Sequence, residues 1–199
     1  SYLKDLSELC RKHGVLLIAD EIQTGFYRTG SLFYSTEQGA EPDIITMAKG
    51  IAGGFPFSAF AVSDAVVKGI QAGDHGGTYN GNPLGCAVAD AVIRYMDETD
   101  IGAHVRKIGA ETIERLKGWI KKYPGAITDV RGRGLLIALE LSDDSRAAEI
   151  NRRCLEKGLL LNLKHGNIIR IFPALTITSP EMQEGLDILE KELAACLAL

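Results

Sequence analysis

The chain has 199 residues, of which 46% are hydrophobic and 24% charged, with a formal net charge of -4 at pH 7. That length holds one large domain or two small ones with a real hydrophobic core, and the composition excludes disorder. The mild negative charge leaves no footprint for nucleic acid, and no apolar run is long enough to span a bilayer.

The chain opens in Tyr2-Leu3-Lys4-Asp5-Leu6-Ser7-Glu8-Leu9-Cys10, apolar at helical spacing, without an initiator Met or a polar leader. This reads as a chain cut between elements. Residues 2–13 are expected to be a helix stopped by Gly14. The apolar run 15–19 is expected to be a parallel strand buried on both faces. Residues 20–31 form a loop with Gly25 and Gly30, and 43–48 form a second buried strand ending at Lys49. Gly50-Ile51-Ala52-Gly53-Gly54 reads as a turn and 57–62 as a third strand. Ser63-Asp64 is expected to cap a short helix through Ile70, followed by a Gly/Asn-rich loop over 71–82. Asn82-Pro83 reads as an N-cap with proline at the first helical position, opening a helix through Tyr95.

A helix over 99–122 puts Ile101, Val105, Ile108, Leu116 and Ile120 on one stripe. After Tyr123-Pro124-Gly125 the pattern changes. Strands are expected at 127–130 and 135–141 around Arg131-Gly132-Arg133-Gly134, a helix at 145–157, and strands at 159–163 and 168–172 around Gly166. Ser179-Pro180-Glu181 starts a last helix with Met182, Leu186, Leu189 and Leu193 inward. Short strands followed by helices indicate a small α+β domain, with the boundary placed between 97 and 98. The cysteines, Cys10, Cys86, Cys154 and Cys196, form no Cys-x-x-Cys pair and lie in helical stretches. Buried reduced thiols and a cytoplasmic location are the expectation, with no metal site.

Two residues carry the chemistry. Asp20 and Lys49 each end an apolar run and open into a glycine-rich turn. In an open parallel sheet, ligands bind beyond the carboxyl ends of the strands. A carboxylate there can keep a pyridine nitrogen protonated, so that the ring accepts electrons. A lysine at the end of a buried strand is expected to lose hydration, and a neutral amine attacks an aldehyde and can move a proton at the adjacent carbon. Together the pair can hold pyridoxal 5'-phosphate. The ordinary alternatives are an ion pair for Asp20 and a lysine that reaches solvent. A rival is the Mg²⁺-binding strand of P-loop NTPases. That reading needs Gly-x-x-x-x-Gly-Lys-Ser/Thr, which these residues lack.

Thr78, in Gly76-Gly77-Thr78-Tyr79-Asn80-Gly81-Asn82, is a candidate phosphate contact, with an ordinary loop as the alternative. Arg170 can clamp a substrate carboxylate through its guanidinium fork, or form a surface ion pair. Gln23 is three residues past Asp20 and within reach of a phenolic oxygen of the cofactor; Arg28 can pair with Glu21; His75 reads as a loop histidine.

Leu17-Ile18-Ala19-Asp20-Glu21-Ile22-Gln23-Thr24-Gly25-Phe26-Tyr27-Arg28-Thr29-Gly30, Pro42-Asp43-Ile44-Ile45-Thr46-Met47-Ala48-Lys49-Gly50 and Gly76-Gly77-Thr78-Tyr79-Asn80-Gly81-Asn82-Pro83 together resemble the class III pyridoxal-phosphate aminotransferases. The steps from Asp20 to Lys49 and from Lys49 to Thr78 are both 29 residues, as in that family. The resemblance implies an α/β chain of fold type I of the pyridoxal-phosphate-dependent transferases. It would contain part of the large domain's parallel-type sheet with helices (1–97) and the small α+β C-terminal domain (98–199). It implies Asp20 at the ring nitrogen, Gln23 at the phenolic oxygen, Lys49 in the Schiff base, Thr78 on the phosphate of the partner subunit in a homodimer, and Arg170 on the substrate carboxylate. The substrates it implies are a small amino acid and a 2-oxo acid, with a ping-pong mechanism. The turn 48–54 and the stretch 158–161 look most like 4-aminobutyrate aminotransferases. Acetylornithine, ornithine and diaminobutyrate aminotransferases, dialkylglycine decarboxylases and amino-acid epimerases share the motifs. The family's phosphate loop and stacking aromatic belong to an N-terminal half outside this sequence, so the chain alone is expected to be inactive and its sheet to expose apolar edges. The non-catalytic alternative is a fragment that only folds and associates.

Overall fold

The computed structural model describes residues 1–198. The chain divides into two compact units, Ser1–Gly102 and Ala103 onward.

In the first unit, α1 (Tyr2–Lys12) leads into Gly14, whose φ of 64° suits a residue without a side chain. Three strands follow: β1 (Ile18–Asp20), β2 (Ile44–Met47) and β3 (Ala59–Val62), in the order β1-β2-β3. β1 runs parallel to β2, whereas β3 is antiparallel. The run 15–19 is not a strand buried on both faces. Val15, Leu16 and Ile18 are 56–58% exposed. Among the described residues β1 is an edge strand paired with β2 alone, and these side chains form the exposed apolar edge expected of a sheet short of strands. All four residues of β2 are only half-buried.

One end of this sheet is fastened by Asp43. Its carboxylate accepts from Leu17 N at 2.9 Å and from Ser63 Oγ at 3.4 Å, and its carbonyl accepts from Ser63 N at 2.8 Å. Ser63 is therefore engaged with Asp43 and makes no side-chain cap for α3, which spans only Asp64–Val67. Asn82 does cap α4 (Pro83–Glu98), accepting from Gly85 N at 3.1 Å. The buried side of α4 runs through Gly85, Ala89 and Met96. Cys86 lies one position off that side and is exposed, against the expectation of a buried thiol.

The second unit holds an antiparallel sheet of order β4-β5-β7-β6, from β4 (Ile127–Arg133), β5 (Leu136–Leu141), β6 (Asn162–Lys164) and β7 (Ile168–Ile171). Its helices are α5 (Ile101–Lys122), which begins in the last two residues of the first unit, α6 (Asp144–Glu156) and α7 (Ser179–Leu197). The buried stripe of α5 is Ile101, Val105, Ile108, Leu116 and Trp119. Ile120 falls off it and is half-buried, because a step of four from Leu116 drifts away from the face that Trp119 keeps. Met182, Leu186, Leu189 and Leu193 are buried on α7 as read. Its start is a capping box between Thr178 and Glu181.

Two expected boundaries shift. Arg131-Gly132-Arg133 belongs to β4, and the turn shrinks to Gly134-Leu135, because Leu135 is itself fully buried and Gly132 bends the strand at φ 152°. Residues 159–161 are not a strand. Leu159 N bonds to Cys154 O and so finishes α6, Leu160 is 82% exposed, and pairing begins only where Asn162 meets Arg170.

Candidate functional site

Asp20 faces Thr46 across the β1–β2 pair. Parallel neighbours lie about 5 Å apart and end on the same edge, so Asp20 and the turn after β2 leave the sheet side by side in sequence terms. The Asp20 carboxylate is exposed. Its Oδ1 accepts from Thr46 Oγ1 at 3.1 Å and from Ile22 N at 3.0 Å. Both bonds use the same oxygen, so Oδ2 remains for another donor.

Lys49 opens a 3₁₀ turn, Lys49–Ala52, with a φ of 49°. A lysine in the left-handed region is strained unless its surroundings hold it. Ile51 and Ala52 are buried beneath it. The turn exits at Gly53, also left-handed, where an added Cβ would stand 3.1 Å from Val92 of α4. On the other flank, a Cβ on Gly50 would stand 3.0 Å from Cβ of Phe26. The expected loss of hydration at Lys49 is not found. Among the described residues the side chain is exposed and β2 beside it is half-buried.

Residues 21–33 wrap around two buried side chains: Glu21, expected only as a pair for Arg28, and Phe26, which sequence reasoning did not single out. Glu21 is 2% exposed, and its carboxylate accepts from Ser35 N at 2.6 Å and from Thr24 Oγ1. Phe26 is 3% exposed at φ 51°, and meets Phe33 edge-to-face at 5.7 Å. The signal available for both was their place in a loop dense in glycine and threonine, where a buried carboxylate or ring has to organise the backbone. Burial pushes the Arg28 guanidinium down to about 10, so it keeps its charge at neutral pH. Gln23 projects from this loop and is exposed.

Thr78 sits in an exposed loop of the same unit. One cross-strand row leads towards it: Asp20 opposite Thr46, and Thr46 opposite Phe60. The Phe60 ring meets His75 edge-to-face at 5.0 Å, and His75 Nε2 lies 3.2 Å from Asn80 Nδ2. His75 is thus a loop-shaping histidine, and among the described residues no cluster of potential ligands could hold a metal ion. Arg170 belongs to the second unit, on β7 between Ala138 and Asn162, with its guanidinium 5.3 Å from the Phe172 ring.

The chemistry of the first unit's donors fits pyridoxal phosphate: a carboxylate with an oxygen to spare, an exposed amine at the same sheet edge, and a threonine among glycines. Among the described residues no helix is long and apolar enough to cross a membrane.

The profile of the family described as aminotransferase class-III matches residues 1–193. The acetylornithine aminotransferase of Methanothermobacter thermautotrophicus is 41% identical over 94% of this chain and 47% of its own length. The mitochondrial ornithine aminotransferase of Drosophila melanogaster is 40% identical over 96% of this chain and 44% of its own. Among solved structures, the acetylornithine aminotransferase of Elizabethkingia anophelis superposes with a TM-score of 0.91 at 38% identity, over 98% of this chain and 49% of that one. The ornithine aminotransferase of Toxoplasma gondii, described with partial occupancy of pyridoxal phosphate at its active site, gives 0.93 at 34% identity, over 99% and 47%. The chain spans about half the length of the relatives it matches.

Proposed function

The chain belongs to the class-III aminotransferase family and has the α/β architecture of its fold type I, and we propose that the protein it forms part of transfers the terminal amino group of an ornithine-like amino acid to a 2-oxo acid such as 2-oxoglutarate. The observation that carries this reading is the pair of residues at one sheet edge: Asp20, oriented through Oδ1, and Lys49, presented by a strained turn. The relatives described above carry ornithine and acetylornithine names, which favours such a donor over the 4-aminobutyrate suggested by the turn at 48–54.

Pyridoxal phosphate, when bound, supplies an aldehyde that condenses with amines and a ring that accepts the electrons released at the reacting carbon. Residues of this chain take several of the remaining parts. Asp20, steadied by Thr46 Oγ1 and Ile22 N–H, would hold the ring nitrogen and keep its proton in place. The Lys49 amine would hold the cofactor through its aldehyde and would serve as general base and acid for a proton at the substrate's reacting carbon. Gln23 would donate to the phenolic oxygen. Arg170 binds the substrate carboxylate through two parallel N–H bonds. Residues 1–97 would end the cofactor domain and 98–199 form the small domain.

The protein is further proposed to be a homodimer in which Thr78 reaches the phosphate held by the partner subunit. The exposed loop, with Tyr79 at 84% exposure, and the exposed Leu84 in the first turn of α4 support that placement. The four free cysteines support a reducing compartment, the cytoplasm. The site is complete only with residues outside these 199, so the activity is proposed for the full-length protein.

The test is glutamate formation from 2-oxoglutarate by that protein, with ornithine, acetylornithine and 4-aminobutyrate offered in parallel. The proposal expects an ornithine-type donor to give the highest kcat/KM. Preference for 4-aminobutyrate would overturn the donor assignment, and no transfer from any amine would overturn the function.

A further inference from the structure

We infer that Phe26 is a positioning residue for Lys49, acting through Gly50. The inference rests on the functional reading of Lys49 and deepens it.

Lys49 occupies the left-handed region without being glycine, a conformation that persists only where neighbours over-determine it. Two neighbours do so. On one flank Val92 of α4 closes on Gly53, with 3.1 Å left for a Cβ. On the other, Phe26 closes on the residue directly after Lys49: a Cβ on Gly50 would meet Phe26 Cβ at 3.0 Å, Cγ at 3.7 Å and Cδ2 at 3.9 Å. Phe26 cannot easily retreat. It is 3% exposed, braced by Phe33, and its backbone N–H is bonded to Leu32 O at 2.7 Å. It also lies in the loop that starts at Asp20 and carries Gln23, a loop knotted by the buried Glu21 carboxylate. Phe26 therefore links the segment bearing the carboxylate to the segment bearing the amine. Its position sets where the Lys49 backbone turns, and hence where the amine points relative to Asp20. Gly50 is required because any side chain there presses on this wedge.

The experiment uses the full-length protein loaded with pyridoxal phosphate. Gly50→Ala and Phe26→Leu are made singly and together; leucine keeps apolar volume at a buried site, so folding is preserved. Two quantities other than turnover are read: the pH midpoint of the visible absorbance of the lysine-bound cofactor, and the cofactor dissociation constant. Thermal midpoints report folding. Each single change is expected to move the absorbance midpoint by about half a unit or more and to weaken cofactor binding about ten-fold. The double variant is expected to depart from the sum of the singles, since contacting residues couple. Values like wild type in either folded single variant, or effects that simply add, overturn the inference. Borohydride reduction of the wild-type protein is the control. An adduct away from Lys49 sinks the functional reading and this inference with it, whereas an adduct on Lys49 with unmoved midpoints sinks this inference alone.

Discussion

Thr46 donates its hydroxyl to Asp20 Oδ1 at 3.1 Å across the pair of parallel strands. The threonine thus fixes one oxygen of the carboxylate and turns the other outward. Thr46→Val keeps the shape and removes the donor. A hydrogen bond to a charged group contributes about 1.5–3 kcal/mol, discounted here because the carboxylate is exposed. The full-length variant is expected to lose about three- to ten-fold in kcat, and Thr46→Ser to stay near wild type. Steady-state kinetics check this; an unchanged kcat in Thr46→Val removes the orienting role.

Arg170 presents a planar fork that lysine cannot reproduce. Arg170→Lys is expected to raise KM for donors and acceptors with a carboxylate by at least about ten-fold, at little cost in kcat. A simple monoamine donor without that carboxylate should show no such change. Equal effects on both donors would show that Arg170 supports the fold rather than the substrate.

Much of the first unit was legible because its chemistry lies at strand ends and glycine turns, which local sequence marks plainly. Asp20, Lys49 and the Asn82 cap stand where the apolar runs and Asn-Pro indicate. What sequence could not give was coverage. An apolar run looks the same whether or not a second layer lies over it, so 15–19 reads as buried on both faces, while the exposed apolar edge expected of a sheet short of strands is found at Val15, Leu16 and Ile18. Lys49 was assigned a dry setting for the same reason. Phe26 was missed because its role depends on a contact with Gly50, 24 residues away in sequence and invisible to periodicity. The 159–161 stretch misled because three leucines satisfy a strand pattern while the backbone is still finishing a helix.

Tyr27 donates its hydroxyl to Asp97 Oδ1 at 2.6 Å. That bond first, then burial, then the charges of Asp97 and Asp100 push the phenol from 10.0 up to about 12. The folded state holds its proton more tightly than the unfolded one. The contribution to stability is therefore complete below pH 10 and is lost as pH rises to about 12. Tyr27→Phe is expected to be less stable than wild type at neutral pH, with the gap closing across that window. Urea unfolding at neutral and strongly alkaline pH measures it; a gap that stays constant contradicts the bond.

Gly109 of α5 lies against the β4–β5 turn, where an added Cβ would fall 2.2 Å from Gly134 O. The obstacle is backbone, which cannot rotate aside. Gly109→Ala is expected to destabilise the second unit by about 1–3 kcal/mol despite its better helix propensity. Gly118, on the same helix with open space around it, is the control, and Gly118→Ala is expected to be neutral or stabilising. Denaturant midpoints of the two variants decide the matter.

The most direct measurement is borohydride reduction of the full-length, cofactor-loaded protein followed by peptide mapping. The account predicts a single pyridoxyl group on Lys49, with the same adduct but almost no turnover in Asp20→Ala. A pyridoxyl group on any other lysine, or full turnover without the Asp20 carboxylate, would contradict it.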